Sequence, residues 1–245
     1  MKMMKKIFSK DFRITVFSIG WWFYVALTVL GLLTVTKYGN ALPDQQSRLK
    51  LVLYLSIIEL IILRIYKYSL RYTRSSYNYW NELPCYLCNQ STILCIIASI
   101  TDNRHIMAFC IIIGTLGAIL AYVMPDSYNR DQAFYSLQAL GFYGYHGLII
   151  ITCLSFRTLR LYESDLRDSL WVMLTIFLLA VTAHIINFIL RKTGLNKESN
   201  YVYTYHTDNI GILNKLYSLI PMKLFYLIPI MPVFGLLAFV ILLII

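Results

Sequence analysis

Long apolar runs alternate with short charged or turn-forming connectors along almost the whole chain. The runs cover Ile14 to Thr36, Leu49 to Tyr68, Leu83 to Ile100, Ile106 to Met124, Ala133 to Phe156, Ser169 to Leu190 and Met222 to Ile245. Each approaches the ~20 residues that a helix needs to cross the hydrocarbon core of a bilayer. The pattern predicts an all-α, polytopic membrane bundle of seven transmembrane helices, folded as a single domain over residues 1–245. The connectors are too short to hold a soluble domain. The longest, Arg191 to Pro221, is polar and tyrosine-rich and shows no strand or core-helix periodicity, which predicts a cap or a re-entrant segment. No internal repeat with a consistent period is visible, so the inverted-repeat signature of many transporters is missing.

The first run follows Lys2, Lys5, Lys6, Lys10 and Arg13, much as a signal peptide begins. It is longer than a signal-peptide core and no small-x-small cleavage site follows it, which predicts a retained signal anchor. Basic residues near span ends stay on the cytoplasmic side. With the N-terminus inside, 15 of the 22 lysines and arginines fall in cytoplasmic segments, so the N-terminus is expected inside and the C-terminus outside.

Composition agrees with this. With 58% hydrophobic and 14% charged residues, the chain lacks the polar surface that a soluble globule would need. It reads as a multi-pass protein of a cell membrane, expected to be a bacterial plasma membrane. The net charge of +10 then reflects topology and contact with anionic headgroups. A nucleic-acid partner would require a basic soluble face, which the sequence does not offer.

Ionisable and polar side chains within a span are costly, so they face the bundle interior and serve either structure or function. Glu59, in "LSIIELIIL", is the carboxylate deepest in an apolar run; it either pairs structurally or handles protons. His146, in "FYGYHGLII", stands beside Gly144 and Gly147, which permit close approach of a substrate or another helix. As an imidazole it suits a general base, or a satisfied packing role. His184 and Asn187 share one face of the sixth run, where an amide and an imidazole suit either an oriented base with an oxyanion donor or interhelical hydrogen bonding. Cys88 lies on the third run with Cys85 and Cys95 on the same stripe, near a helix start where thiolates are favoured. At about 1.5 Å per residue from the cytoplasmic helix ends, Asn187 lies ~5 Å in, Cys88 ~8 Å, His184 ~9 Å, Glu59 ~14 Å and His146 ~15 to 20 Å. These groups on different helices therefore share the inner half of the bilayer or its midplane.

The Cys85–Cys88 spacing by itself suggests a redox or metal motif. Redox pairs of this spacing usually open a helix in a soluble α/β setting, and the cytoplasmic boundary is reducing. A structural zinc site wants four ligands, usually from two such pairs, and there is one pair here. No metal is expected.

The same residues fall in an ordered series: Glu59, then "LPCYLC" with Leu83, Pro84, Leu87 and Cys88, then Pro125 and Asp126, then "HGLI" at His146 to Ile149, then Asn187, then Asn200 and Tyr201. This series resembles the YwaF-type family of bacterial seven-helix membrane proteins, which is similar to the eukaryotic transmembrane protein 164 acyltransferases. Cys88, not Cys85, stands at the matching cysteine. The chain departs from that pattern at Tyr86, where the family has a histidine, and in "NKLYSLIPMKLFY", which poorly matches the usual proline- and tryptophan-rich segment.

The resemblance implies acyl transfer between membrane lipids through a cysteine thioester, with membrane lipids as substrates and no cofactor. Thiolate, imidazole and amide fit the nucleophile, base and oxyanion-donor parts. Cys88, His146 and Asn187 are then the expected catalytic residues, with Glu59, His184, Tyr86, Asn200 and Tyr201 in support. Arg74 and Arg191 are expected to meet lipid phosphate. Simple depth pairs Cys88 with His184, whereas the resemblance favours His146 as base. Two other readings stand beside this one: a transporter or accessory protein whose polar cavity is lined by Glu59, His146 and Asn187, and a lipid hydrolase using the same residues with water as acceptor.

Overall fold

A computed structural model describes residues 13–73, 78–125, 129 and 132–244. Its helices are α1 (Ile19–Asn40), α2 (Gln45–Thr73), α3 (Leu87–Thr101), α4 (Arg104–Val123), α5 (Leu137–Thr158), α6 (Asp168–Lys192), α7 (Gly211–Leu219) and α8 (Met231–Ile244). Strands β1 (Arg13–Ile14) and β2 (Gln132–Ala133) pair antiparallel and tie the start of α1 to the start of α5.

Local signals fix several helix ends. Ser18 accepts a bond from Trp21 N at 3.3 Å and Ser136 accepts one from Ala139 N at 3.0 Å, so each caps orphan amides at the start of α1 or α5. Asp102 takes a left-handed φ of 52° and Asn103 caps α4 through His105 N and Ile106 N, which turns the chain sharply between α3 and α4. Within α4 the stretch Cys110–Gly114 opens into a π turn.

A helix lies over every apolar run, but five segments are long and apolar enough to cross a membrane: α1, α4, α5, α6 and Phe225–Ile244. In the last of these a 3-10 turn, Phe225–Ile230, leads into α8. Helix α2 is long, at 29 residues, but its apolar stretch carries Glu59, Arg64 and Lys67. Helix α3 is apolar but has 15 residues. It starts at Leu87 and not at Leu83, because the residue before a proline is driven out of the α region and Leu83–Cys85 forms a tight turn instead. The connector after α6 is also more ordered than its pattern suggests, since it contains α7 and the turn Tyr201–Tyr203.

Helix α5 is the centre of the bundle, packing against α1, α2, α3 and α4. Its glycines permit this. A Cβ at Gly141 would meet Tyr66 Cβ at 2.6 Å, and one at Gly147 would meet Thr28 Oγ1 at 2.6 Å and the Tyr122 hydroxyl at 2.7 Å. Helix α6 joins the bundle through α4 and carries α8 on its other side. Leu30, Ile61, Leu178 and Leu236 point outward, as expected of side chains facing lipid.

At the end of the bundle where α3 turns into α4, a single carboxylate gathers three elements. Asp168, almost fully buried, accepts from Arg104 Nη2 at 3.0 Å and the Tyr162 hydroxyl at 2.8 Å and pairs with His105 Nδ1 at 2.7 Å. The His105 ring stacks on Trp171 at 4.6 Å. Burial and the neighbouring carboxylate push the Tyr162 hydroxyl well above the usual tyrosine range, so it serves as a donor. Arg104 and His105 reach water, so Tyr162 is the partner most harmed by loss of the carboxylate. Asp168→Ala is expected to destabilise the bundle by about 2 kcal/mol, read as a lower apparent Tm in detergent, with activity retained at the temperature where the variant is folded.

Candidate functional site

Three helices build a cavity of about 250 Å³. Helix α2 supplies Tyr66 and Lys67, α3 supplies Cys88 and Asn89, and α5 supplies Phe142, Tyr145 and His146. Tyr86, at the N-cap of α3, and Glu82 close one side.

Cys88 is the second residue of α3, where the first-turn amides lack intrahelical acceptors. Its Sγ lies against Gly117 of α4, since a Cβ there would sit 3.8 Å away. His146 is 7% exposed, and its Nδ1 is 2.7 Å from the Phe142 carbonyl one turn back. A carbonyl accepts only, so Nδ1 carries the proton and Nε2 is the basic nitrogen of the neutral ring.

The register of the two helices explains why these residues share a cavity. Cys95 and Cys153 stand 58 positions apart and their sulfurs touch at 3.6 Å. Cys88 and His146 have the same offset, each a heptad earlier on α3 and α5. Because α3 and α5 run in the same direction, moving back about 10.5 Å along each keeps both positions on the side where the two helices meet, and both residues line the cavity there.

The family follows from the whole chain. It belongs to the TMEM164 family, matching over residues 12–245. No curated protein and no solved structure matches it. Family membership and the apolar helices together make this a multi-pass membrane protein.

Among the described residues Tyr86 is the one supporting residue that shares this cavity; the other expected site residues lie elsewhere. Asn187 is buried on α6 and holds the following loop: Nδ2 donates to the Tyr201 carbonyl at 3.0 Å and to Thr204 Oγ1 at 2.9 Å. Its Oδ1 accepts from Ser199 Oγ at 2.6 Å and from Tyr201 N at 2.9 Å. Both amide hydrogens and both lone pairs are occupied, leaving none for an oxyanion. The clamp holds a loop in which Val202 and Tyr203 adopt left-handed φ of 55° and 56°, costly for a β-branched residue. Asn187→Ala is expected to cost about 3 kcal/mol, measurable as a fall in detergent-state Tm and as early proteolysis within residues 196–208.

His184 does not line the Cys88 cavity; its ring stacks on Tyr205 at 4.8 Å. Arg191 and Lys223 lie over the same Tyr205 ring at 4.6 Å and 4.5 Å. Arg191 also donates from Nε to the Ser199 carbonyl at 2.7 Å, so it braces the loop. Arg74 and Asp126 lie outside the described residues. Glu59 is fully buried beside Thr92, Thr152 and the Cys153 thiol, and among the described residues no donor meets hydrogen-bond geometry at its carboxyl oxygens. Neither it nor Asn187 is in the lining of the Cys88 cavity that His146 borders.

Cys85 and Cys88 diverge. Cys85 packs with Ala183, Leu190 and Tyr201, and burial pushes its thiol up, partly opposed by the Lys67 charge. Tyr201 donates to the Trp80 carbonyl at 2.5 Å and accepts from Leu83 N at 3.1 Å, and burial raises its hydroxyl well above the usual range. The Tyr86 ring meets Tyr201 edge-on at 5.0 Å. Asn200 organises the next turn through Tyr205 N, His206 N and the His206 carbonyl. Together Tyr86, Asn200, Tyr201 and Tyr203 border a second, polar basin of about 520 Å³ that shares Glu82 and Tyr86 with the Cys88 cavity.

Sequence reasoning passed over Lys67, Asn89 and Tyr145. Lys67 is held by Glu82, through its carboxylate at 3.6 Å and its backbone carbonyl, at the cavity wall. A signal for Asn89 was present, because "CNQST" places consecutive polar side chains in an apolar helix and all four after Cys88 are buried.

Proposed function

We propose that this protein transfers acyl chains between membrane lipids through a thioester on Cys88, with His146 as general base and acid. The observation that carries the proposal is the shared cavity, lined both by a cysteine at a helix start and by a histidine whose tautomer is set by the Phe142 carbonyl. Nε2 of His146 takes the proton from Cys88 Sγ, and the sulfur attacks the ester carbonyl of a donor lipid. The tetrahedral intermediate collapses, the carbon–oxygen ester bond breaks, and His146 returns the proton to the departing lysolipid oxygen. An acceptor hydroxyl then gives its proton to Nε2 and attacks the thioester, the carbon–sulfur bond breaks, and Nε2 returns that proton to the Cys88 sulfur, restoring the thiol and the neutral ring.

Acyl chains enter from the lipid phase at the inner half of the bilayer, in a plasma membrane crossed seven times with the N-terminus inside. In this arrangement α2 and α3 complete the crossings despite charge in one and shortness in the other. The chemistry calls on no soluble cofactor.

The test is intact-protein mass spectrometry of detergent-purified protein incubated with phospholipid and lysophospholipid. An acyl-sized adduct on Cys88, removed by hydroxylamine, together with a chain appearing on the lysolipid, is the expected result. Release of free fatty acid without transfer would make the protein a hydrolase, and absence of any adduct would sink the thioester.

A further inference from the structure

An acyl-transfer site needs donors for the negative charge that forms on the attacked carbonyl oxygen. Asn187 is fully engaged in the loop clamp, so that part of the site must come from elsewhere. Asn89 follows Cys88 directly, lines the same cavity, and is 5% exposed. The Tyr145 hydroxyl donates to its Oδ1 at 3.0 Å, and Tyr145 in turn meets Thr92 Oγ1 at 3.0 Å. That chain occupies the carboxamide oxygen and leaves the NH2 as the donor that Asn89 presents, with no acceptor among the described residues.

Asn89 also belongs to the first turn of α3. Gln90 N already bonds to the Tyr86 carbonyl, whereas the amides just before it have no intrahelical acceptor. The Asn89 side-chain donor and the helix terminus thus belong to the same turn of α3 as Cys88, at the cavity that Cys88 and Asn89 both line.

We infer that Asn89 is a further catalytic residue, whose NH2 works with the first-turn amides of α3 to bind the oxyanion formed when Cys88 attacks an ester. This rests on the thioester reading above. As the Sγ–C bond forms, the carbonyl π pair moves to oxygen; Asn89 and the amides hydrogen-bond that oxygen until the pair returns and the ester bond breaks. Tyr145, whose hydroxyl bonds Asn89 Oδ1 and lies 3.4 Å from the Cys88 carbonyl oxygen, is a positioning residue that holds the carboxamide in place.

The experiment compares two reactions of Cys88 in the full-length, detergent-purified protein. Acylation by p-nitrophenyl butyrate passes through an oxyanion; alkylation by iodoacetamide displaces iodide and does not. Asn89→Ala and the near-isosteric Asn89→Asp are expected to slow acylation by about 10² to 10³-fold through kcat with KM unchanged; the alkylation rate stays unchanged in Asn89→Ala, whereas the new carboxylate in Asn89→Asp also disfavours the thiolate and slows alkylation. Tyr145→Phe is expected to lower acylation less, again without changing alkylation. If both reactions fall together in both Asn89 variants, Asn89 only supports the fold and the inference is overturned. Acylation at the wild-type rate in Asn89→Asp overturns it too. No acylation of the wild-type protein would instead remove the thioester reading, and this inference with it.

Discussion

Cys88→Ala protein is expected to form no thioester adduct and to lose transfer by about 10⁴-fold or more, because Cys88 is the one thiol lining the cavity among the described residues. The contrast with Cys85→Ala makes the experiment specific. Cys85 lies three residues earlier and is also buried, yet it packs against Ala183, Leu190 and Tyr201 on a different wall. Removing its sulfur leaves a small cavity near Tyr201, and the expected cost is about 1 kcal/mol of stability with near-normal turnover. Transfer of a labelled chain from phospholipid to lysophospholipid, measured beside the mass of each variant, separates the outcomes. Equal activity in Cys88→Ala protein would eliminate the covalent mechanism, and loss of activity in both single variants would point to a paired role for the two thiols.

The second large effect is expected at His146. His146→Gln keeps a polar side chain of similar reach but cannot exchange a proton, so kcat should fall by about 10² to 10⁴-fold. The iodoacetamide rate should fall as well, because the base also helps form the thiolate. This is the opposite of the Asn89→Ala pattern, and it lets base and oxyanion donor be told apart on the same sulfur. His184→Ala is the matched control: its ring stacks on Tyr205, the ring that Arg191 and Lys223 also meet, and does not line the cavity. That variant should retain the alkylation rate. A normal rate in His146→Gln combined with a large loss in His184→Ala would exchange their roles and restore the pairing that depth alone suggests.

The helices over the apolar runs were legible because each run is a local property: enough consecutive apolar side chains to satisfy a bilayer core, interrupted by charge or proline. The start of α3 was legible in outline only. Pro84 marks the region, but the turn at Leu83–Cys85 depends on a loop anchored by Tyr201 from far along the chain. The order inside 193–230 was hidden for a similar reason. Asn187 and Asn200 hold that segment through side-chain bonds to its backbone, and such bonds leave no periodic trace.

The sequence by itself determined the membrane class, the positions of the apolar helices and the short set of polar groups buried among them. These follow from transfer energies that act residue by residue, and the family match over residues 12–245 agrees with them. Only the tertiary structure decided which of those groups meet. Depth along a helix axis is readable from residue counts, but azimuth and neighbour are set by how glycines such as Gly141 and Gly147 let α5 close onto α1 and α2. That packing puts His146 and Cys88 on the walls of one cavity, moves Asn187 into a loop clamp, and brings Asn89, which sequence reading passed over, into the same lining.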